Sequence, residues 1–356
     1  MLRNRYGTGA TTPLIVAALL LALSVAEGLA TLETVQSGPR FPPRIDAYFR
    51  NSVKLTVAQQ RQLAAGQPVT KLLEADETKE AAVFGAIWIT APIRRYLDAL
   101  KDIENFERGG GFKLTKRISM PPRLEDFAEL RLPQEDLADL RACRVGSCDV
   151  KLGEDALNRF RTQIDWNAPD GYASANRLMR QIAFEYVRRY LEGGNDSLAV
   201  QRDSRRPTRV AEEFRSMVDA MPELTTYMPE IRRYLLEYPK GTLPGATEHF
   251  YWQETEFGLK PTIRISHMTI REQPDAIVAS KMLYATHYFL TGVELRMLVP
   301  DASRGPGFWF VSVNRSRLDG LTGLTGVFVR WRLKSRVQQA TLTVLRNTKQ
   351  KLEAAR

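Results

Sequence analysis

The sequence predicts an α+β protein in which strands and a helix are followed by an all-helical block, about four antiparallel strands and a long final helix. Three observations lead there. Runs of β-prone residues, some with period-two alternation, lie at 69–90 and 262–313; apolar residues recur at three and four between 121 and 245; and a final amphipathic stretch runs from about Thr325 to Leu352. The chain has 356 residues, 44% hydrophobic and 26% charged, enough for one large domain or two small ones. That composition excludes disorder, collagen and a multispanning membrane protein.

The first element is a leader. Arg3 and Arg5 precede the charge-free run Leu14 to Val25 (LIVAALLLALSV), and small residues follow at Ser24-Val25-Ala26 and Gly28-Leu29-Ala30. This is the pattern of an export signal over residues 1–30, and the run is shorter than the ~20 residues that span a bilayer. An uncleaved anchor is the alternative. No cysteine stands near the cleavage region for a lipid, and adjacent twin arginines are missing. The expected location is periplasmic or secreted.

Residues 31–120 form the next segment. After a polar, Pro-containing lead-in to Pro43, Thr56 to Ala65 has a Thr start and helical spacing, stopped by Gly66. Val69 to Ala75 and Ala81 to Thr90 flank Asp76-Glu77-Thr78-Lys79 and read as a hairpin. Both faces of the second run are mostly apolar, so it is expected to be covered on both sides. Ala91-Pro92 closes it, and Ile93, Tyr96, Leu97, Leu100, Ile103 and Phe106 make one helical stripe.

Residues 121–245 read as helical: 124–130, 134–141, 154–165, 172–191, 210–220 and 229–237, the longest ending at Gly193-Gly194. Within this block, Cys143 and Cys148 sit in CRVGSC with Gly146 between them, and an oxidising compartment favours a small disulfide loop over two free thiols. In residues 246–356, Thr262 to Arg271 and Ala276 to Leu290 flank Gln273-Pro274-Asp275 as a long hairpin. Val293 to Val299, with Glu294 and Arg296 alternating against Val293, Leu295 and Met297, and Phe308 to Val313 are further strands.

VFGAIWITAPIRRYLDALKDIENF at 83–106 is similar to the first strand, Ala-Pro step and first helix of the START-like (SRPBCC) superfamily, and the passage from GLTGLTG at 320–326 into the final helix is a second match. The order of elements resembles that group's helix-grip fold over residues 69–112 and 262–352. The resemblance implies a sheet wrapped around the C-terminal helix and a cavity for a hydrophobic molecule. The block at 121–245 departs from the group's pattern and stands as a large insertion. The group has no short invariant motif, so no catalytic residue carries over.

The net charge of +10 is concentrated at the end: from Asp301 to Arg356 eleven Lys/Arg face three Asp/Glu, a net of +8, leaving +2 for the first 300 residues. Without a zinc finger, basic zipper or RNP-type motif, nucleic acid is not the expected partner; a basic C-terminal helix facing an anionic membrane surface stays open. Three histidines and two cysteines cannot supply a four-ligand zinc site of normal spacing, and neither metal nor cofactor is expected. GLTGLTG lacks the Lys-Ser/Thr of a Walker motif, and no Gly-x-Ser-x-Gly or His-Glu-x-x-His occurs.

The candidate ligand-binding residues come from the C-terminal strands: His267, Met268, Met282, Tyr284, His287, Tyr288, Trp309 and Phe310. On a strand, Tyr284, Thr286 and Tyr288 share one face and His287 and Phe289 the other. An apolar pocket with a few hydroxyls holds and orients hydrophobic ligands, although core packing explains the same residues. A hairpin turning near Pro274 places His287 opposite residue 261, about 20 Å along the strand from His267, so the histidines do not pair. The leading expectation is an exported binder of an apolar small molecule or lipid. The alternatives are a cyclase- or hydrolase-like enzyme using His267 or His287 as a lone acid or base, and a non-catalytic envelope interaction protein.

Overall fold

The computed structural model describes residues 39–109, 111–256, 260–273, 276–321 and 323–354, with the backbone alone at 323–329, 331 and 332. The leader lies outside the described residues, as do Pro274-Asp275 of the expected hairpin turn.

The chain opens with α1 (Pro43–Asn51) and α2 (Val57–Ala64), the latter begun by a capping box in which Thr56 accepts from the Gln59 amide and Gln59 answers. The hairpin β1 (Val69–Leu72) and β2 (Glu80–Ile89) follows, then α3 (Ile93–Lys101) and α4 (Ile103–Phe106), which Asp102 separates where a single helix was expected. Strand β3 (Phe112–Ile118) precedes the helical block of α5 (Gln134–Ala142), α6 (Glu154–Gln163), α7 (Gly171–Gly193), the small ribbon β4 (Val200–Gln201) and β5 (Thr208–Arg209), α8 (Val210–Asp219) and α9 (Pro229–Glu237). A meander of β6 (Ala246–Thr255), β7 (Thr262–Arg271), β8 (Ala276–Ala285), β9 (Phe289–Pro300) and β10 (Phe308–Leu318) leads to α10 (Gly323–Ala354). The protein is thus α+β, with one eight-stranded antiparallel sheet in the order β1-β2-β10-β9-β8-β7-β6-β3.

Alternation along the strands divides the core in two. Phe84, Ala86 and Trp88 of β2 join the core with Ile45 and Phe49 of α1 and the apolar faces of α5 to α9. Ile87 and Ile89, pointing the other way, pack with Tyr96, Leu97 and Leu100 of α3 and Leu345 and Leu352 of α10. β2 is therefore covered on both sides, which its apolar texture requires.

Two glycines allow close approaches. A Cβ on Gly85 would stand 2.7 Å from Thr341 Cγ2 and 3.1 Å from Leu345 Cδ1, so α10 crosses β2 where the strand has no side chain. Gly194, at the end of α7, has φ +57°, and a Cβ there would meet the Tyr238 carbonyl oxygen at 1.9 Å. It ends the longest helix of the block as the Gly193-Gly194 pair predicts. Cys143 and Cys148 are joined in a disulfide just after α5.

The strand expected over Ala276 to Leu290 is two elements. β8 ends at Ala285 and β9 begins at Phe289, with Tyr288 in the left-handed region (φ +60°) turning the chain between them. Thr286 and His287 therefore sit in a tight turn and do not share strand faces with Tyr284 and Phe289.

Candidate ligand cavity

Between α10 and the sheet lies a cavity of 210 Å³. Its apolar wall comes from α10, where Leu333, Val337, Ala340 and Val344 recur at four and three and so fall on one stripe, and from Phe310 and Met282 of the sheet. The polar wall is set by strand alternation. Ser312, Asn314 and Ser316 of β10 face the cavity because Val311 and Val313, which alternate with them, are committed to the core under the helical block.

Beside these hydroxyls lies a buried ionic network. Arg296 of β9 donates from Nε to Glu294 (2.8 Å), from Nη2 to Glu107 (3.1 Å) and from Nη1 to the Tyr96 hydroxyl (3.0 Å). Burial works against its charge, but Glu294, Tyr96 and Glu107 together outweigh it and hold the guanidinium's pKa well above its ordinary value. Burial pushes the phenol of Tyr96 upward, and that of Tyr251 up to about 12 with Glu107 adding to the rise. Glu107 also accepts from Gln253 Nε2 (2.7 Å), which reaches Thr115 Oγ1 (3.1 Å), so the polar band runs from β9 to β3.

A second cluster holds the rim. Lys260 Nζ stands 2.9 Å from Asp136 Oδ1 and 2.6 Å from Asp139 Oδ2, and its backbone N–H donates to the Tyr288 hydroxyl (3.1 Å). Burial lowers the ammonium's proton affinity, yet the two aspartates more than restore it and leave the pKa raised. Asp136 Oδ2 also meets His287 Nε2 at 2.8 Å, and His287 Nδ1 faces the Asp149 carbonyl at 3.0 Å. One buried carboxylate of α5 thus fixes both the turn after β8 and the segment leading into β7.

Of the residues singled out in the sequence, Met282, Tyr288 and Phe310 line the cavity. Met268 belongs to the core on the same side without reaching the lining. His267, Tyr284 and Trp309 lie on the other face. Trp309 packs edge-on to Phe41 and Trp88 and donates to Asp301 (3.0 Å); Tyr284 meets Tyr186, ring centroids 6.0 Å apart. His267 is stacked on Phe250 at 4.3 Å, within 3.3 Å of the Tyr190 hydroxyl and 3.7 Å of Glu248. Burial, with Lys281 adding to it, pulls the His267 pKa well below its ordinary value and keeps the ring neutral. Lys281 is itself fully buried, its ammonium over the Phe214 ring (3.9 Å) and donating to Asn195 Oδ1, with a pKa depressed by burial.

Sequence reasoning passed over Arg264, Glu107 and Lys260, and it read Arg296 and the apolar face of the final helix without placing either at a site. The signal was present in VELRMLV and TIRISHM, where single charges alternate with apolar residues on the face that α10 covers. No group of three or more His, Cys, Asp or Glu among the described residues is placed to hold a metal ion. No helix among them is long and apolar enough to cross a membrane. In comparisons with known proteins, no family model matches the chain and no curated protein matches it.

Proposed function

We propose that this chain is an exported protein that binds a hydrophobic small molecule or lipid in the cavity between α10 and the sheet, in the manner of a helix-grip protein. The observation that carries the reading is the cavity itself, with an aliphatic wall on the C-terminal helix facing strand hydroxyls and a buried arginine network. Its 210 Å³ lies somewhat below the ~300–1,000 Å³ usual for small-molecule pockets, which suits a compact ligand such as one medium-length acyl chain. The helical block packs on the opposite face and supplies a second surface. An acid–base enzyme finds less support, because neither His267 nor His287 lines the cavity.

The test is organic extraction of protein purified from its envelope fraction, followed by mass spectrometry. An apolar compound recovered in stoichiometric amount is the expected result; an extract with none, together with failure to bind any apolar probe, would refute the reading. Contact with an anionic membrane rests on the exposed Arg346 and on Lys334, which shares its charge with Glu77. Co-sedimentation with anionic vesicles should weaken as salt rises from low to physiological strength, since such attraction decays within a Debye length.

A further inference from the structure

The cavity's charges are unequal in their commitments. Glu107 and Glu294, the carboxylates of the lining, are both engaged by Arg296, and Lys260 is held by Asp136 and Asp139. Arg264 of β7 also lines the cavity, yet among the described residues no hydrogen bond or ion pair reaches its guanidinium, and its Nε is closed off from solvent. A buried donor without an acceptor keeps the whole cost of its desolvation. On the sheet its neighbours are Gln253 on β6, whose amide nitrogen is taken by Glu107 and Thr115 and whose Oε1 is buried without a hydrogen bond to Arg264 or any other group among the described residues, and Ala285 on β8, which brings no polar side chain.

We propose that the cavity's ligand is an amphiphile with an anionic head, a carboxylate or a phosphate, bound by Arg264, with its tail along the α10 stripe of Leu333, Val337, Ala340 and Val344. This rests on the reading of the cavity as the binding site and adds the chemistry of the head. Geometry supports the match: a guanidinium presents parallel N–H groups in a fork that two oxygens of one carboxylate or phosphate satisfy together. The network around Arg296 already consumes the nearby carboxylates, so an arriving anion meets no uncompensated negative charge. The serine and asparagine side chains of β10 lie along the cavity floor, and the aliphatic stripe offers the tail nothing to hydrogen-bond.

Calorimetric titration of the full protein, freed of any co-purified compound, with sodium octanoate, octyl phosphate, octanol and octylamine tests the assignment. Octanoate or octyl phosphate should bind at least about tenfold more tightly than octanol, a difference of one decade in Kd, with octylamine weakest. The tighter of the two anions identifies the head. In Arg264→Met the anion's advantage should vanish while octanol binding stays as it was. Octanol binding the unaltered protein as tightly as both anions overturns the assignment and leaves the cavity reading standing. An anion preference that survives in Arg264→Met also overturns it. Failure of all four probes to bind removes the cavity reading together with the head-group assignment. The comparison of probes on the unaltered protein needs no variant, so it decides even if Arg264→Met folds poorly.

Discussion

Gly85 is the residue on which the placement of α10 turns. Its absent side chain lets Thr341 and Leu345 reach the strand backbone, so Gly85→Ala forces a methyl into Thr341 Cγ2 at 2.7 Å. Overpacking of this kind costs about 1–3 kcal/mol. Gly85→Ala should lower the urea midpoint accordingly, and Thr341→Ser, which removes the facing methyl, should restore part of the loss in the double variant. Arg296 sets a larger stake. Arg296→Met leaves the half-buried Glu107 and Glu294 without their cation, and breaking a pair of this kind costs up to about 3–5 kcal/mol, the figure for fully buried pairs. Chemical denaturation measures the loss, and Glu107→Gln placed in the same chain should recover part of it.

At the scale of elements, the disulfide after α5 closes a very short loop, Cys143 to Cys148. The chain-entropy estimate for a loop of that size is about 2 kcal/mol. Cys143→Ser with Cys148→Ser should lower stability by roughly that amount, and in the unaltered protein both thiols should resist alkylation until reduced. Five helices of the block were legible because each repeats its apolar residues at three and four, a local signal; the helix expected over 124–130 is instead a single 3-10 turn, Leu124–Phe127. Strands β3 and β6 were not. β3 is an edge strand whose Lys113, Lys116 and Arg117 dilute its alternation, and β6 opens with Thr247, Glu248 and His249, which read as loop. The turn between β8 and β9 escaped for a different reason. It has no glycine or proline, and its left-handed residue is Tyr288, an uncommon choice. The cavity was half legible: the hydroxyls and aromatics on alternate strand positions were in view, but which face α10 would cover is a tertiary fact. His267 and Trp309 fell on the wrong side of the sheet for that reason.

For the molecule as a whole, two buried bases shape the response to pH. His267 has a folded pKa well below its ordinary 6.5, so below that pH the unfolded chain takes up more protons than the folded one. Its contribution is present above pH 6.5 and is lost as pH falls below it. Lys281 is depressed from 10.5 by burial, and by the same sign stability should rise with pH on the approach to 10.5. Urea midpoints across pH 5 to 10 should therefore climb, and Lys281→Met should flatten the alkaline part of the slope while leaving the fall below pH 6.5 in place. A midpoint that declines as pH rises toward 10.5 would contradict the depressed pKa of Lys281.

The order of strands also sets a timetable. β2, made early, pairs on one side with β1 and on the other with β10, whose residues leave the ribosome near the end of synthesis. Until then β2 and β9 each present an open row of backbone groups, and the first hairpin has nothing to join but itself. A nascent or truncated chain ending near Arg304 would thus carry two adhesive edges at once, the condition under which strands find partners in other chains. The two halves of the sheet therefore stay unjoined until the final segment arrives. Chains released at 304 and at 356 should differ sharply in holdase capture, with the shorter one retained.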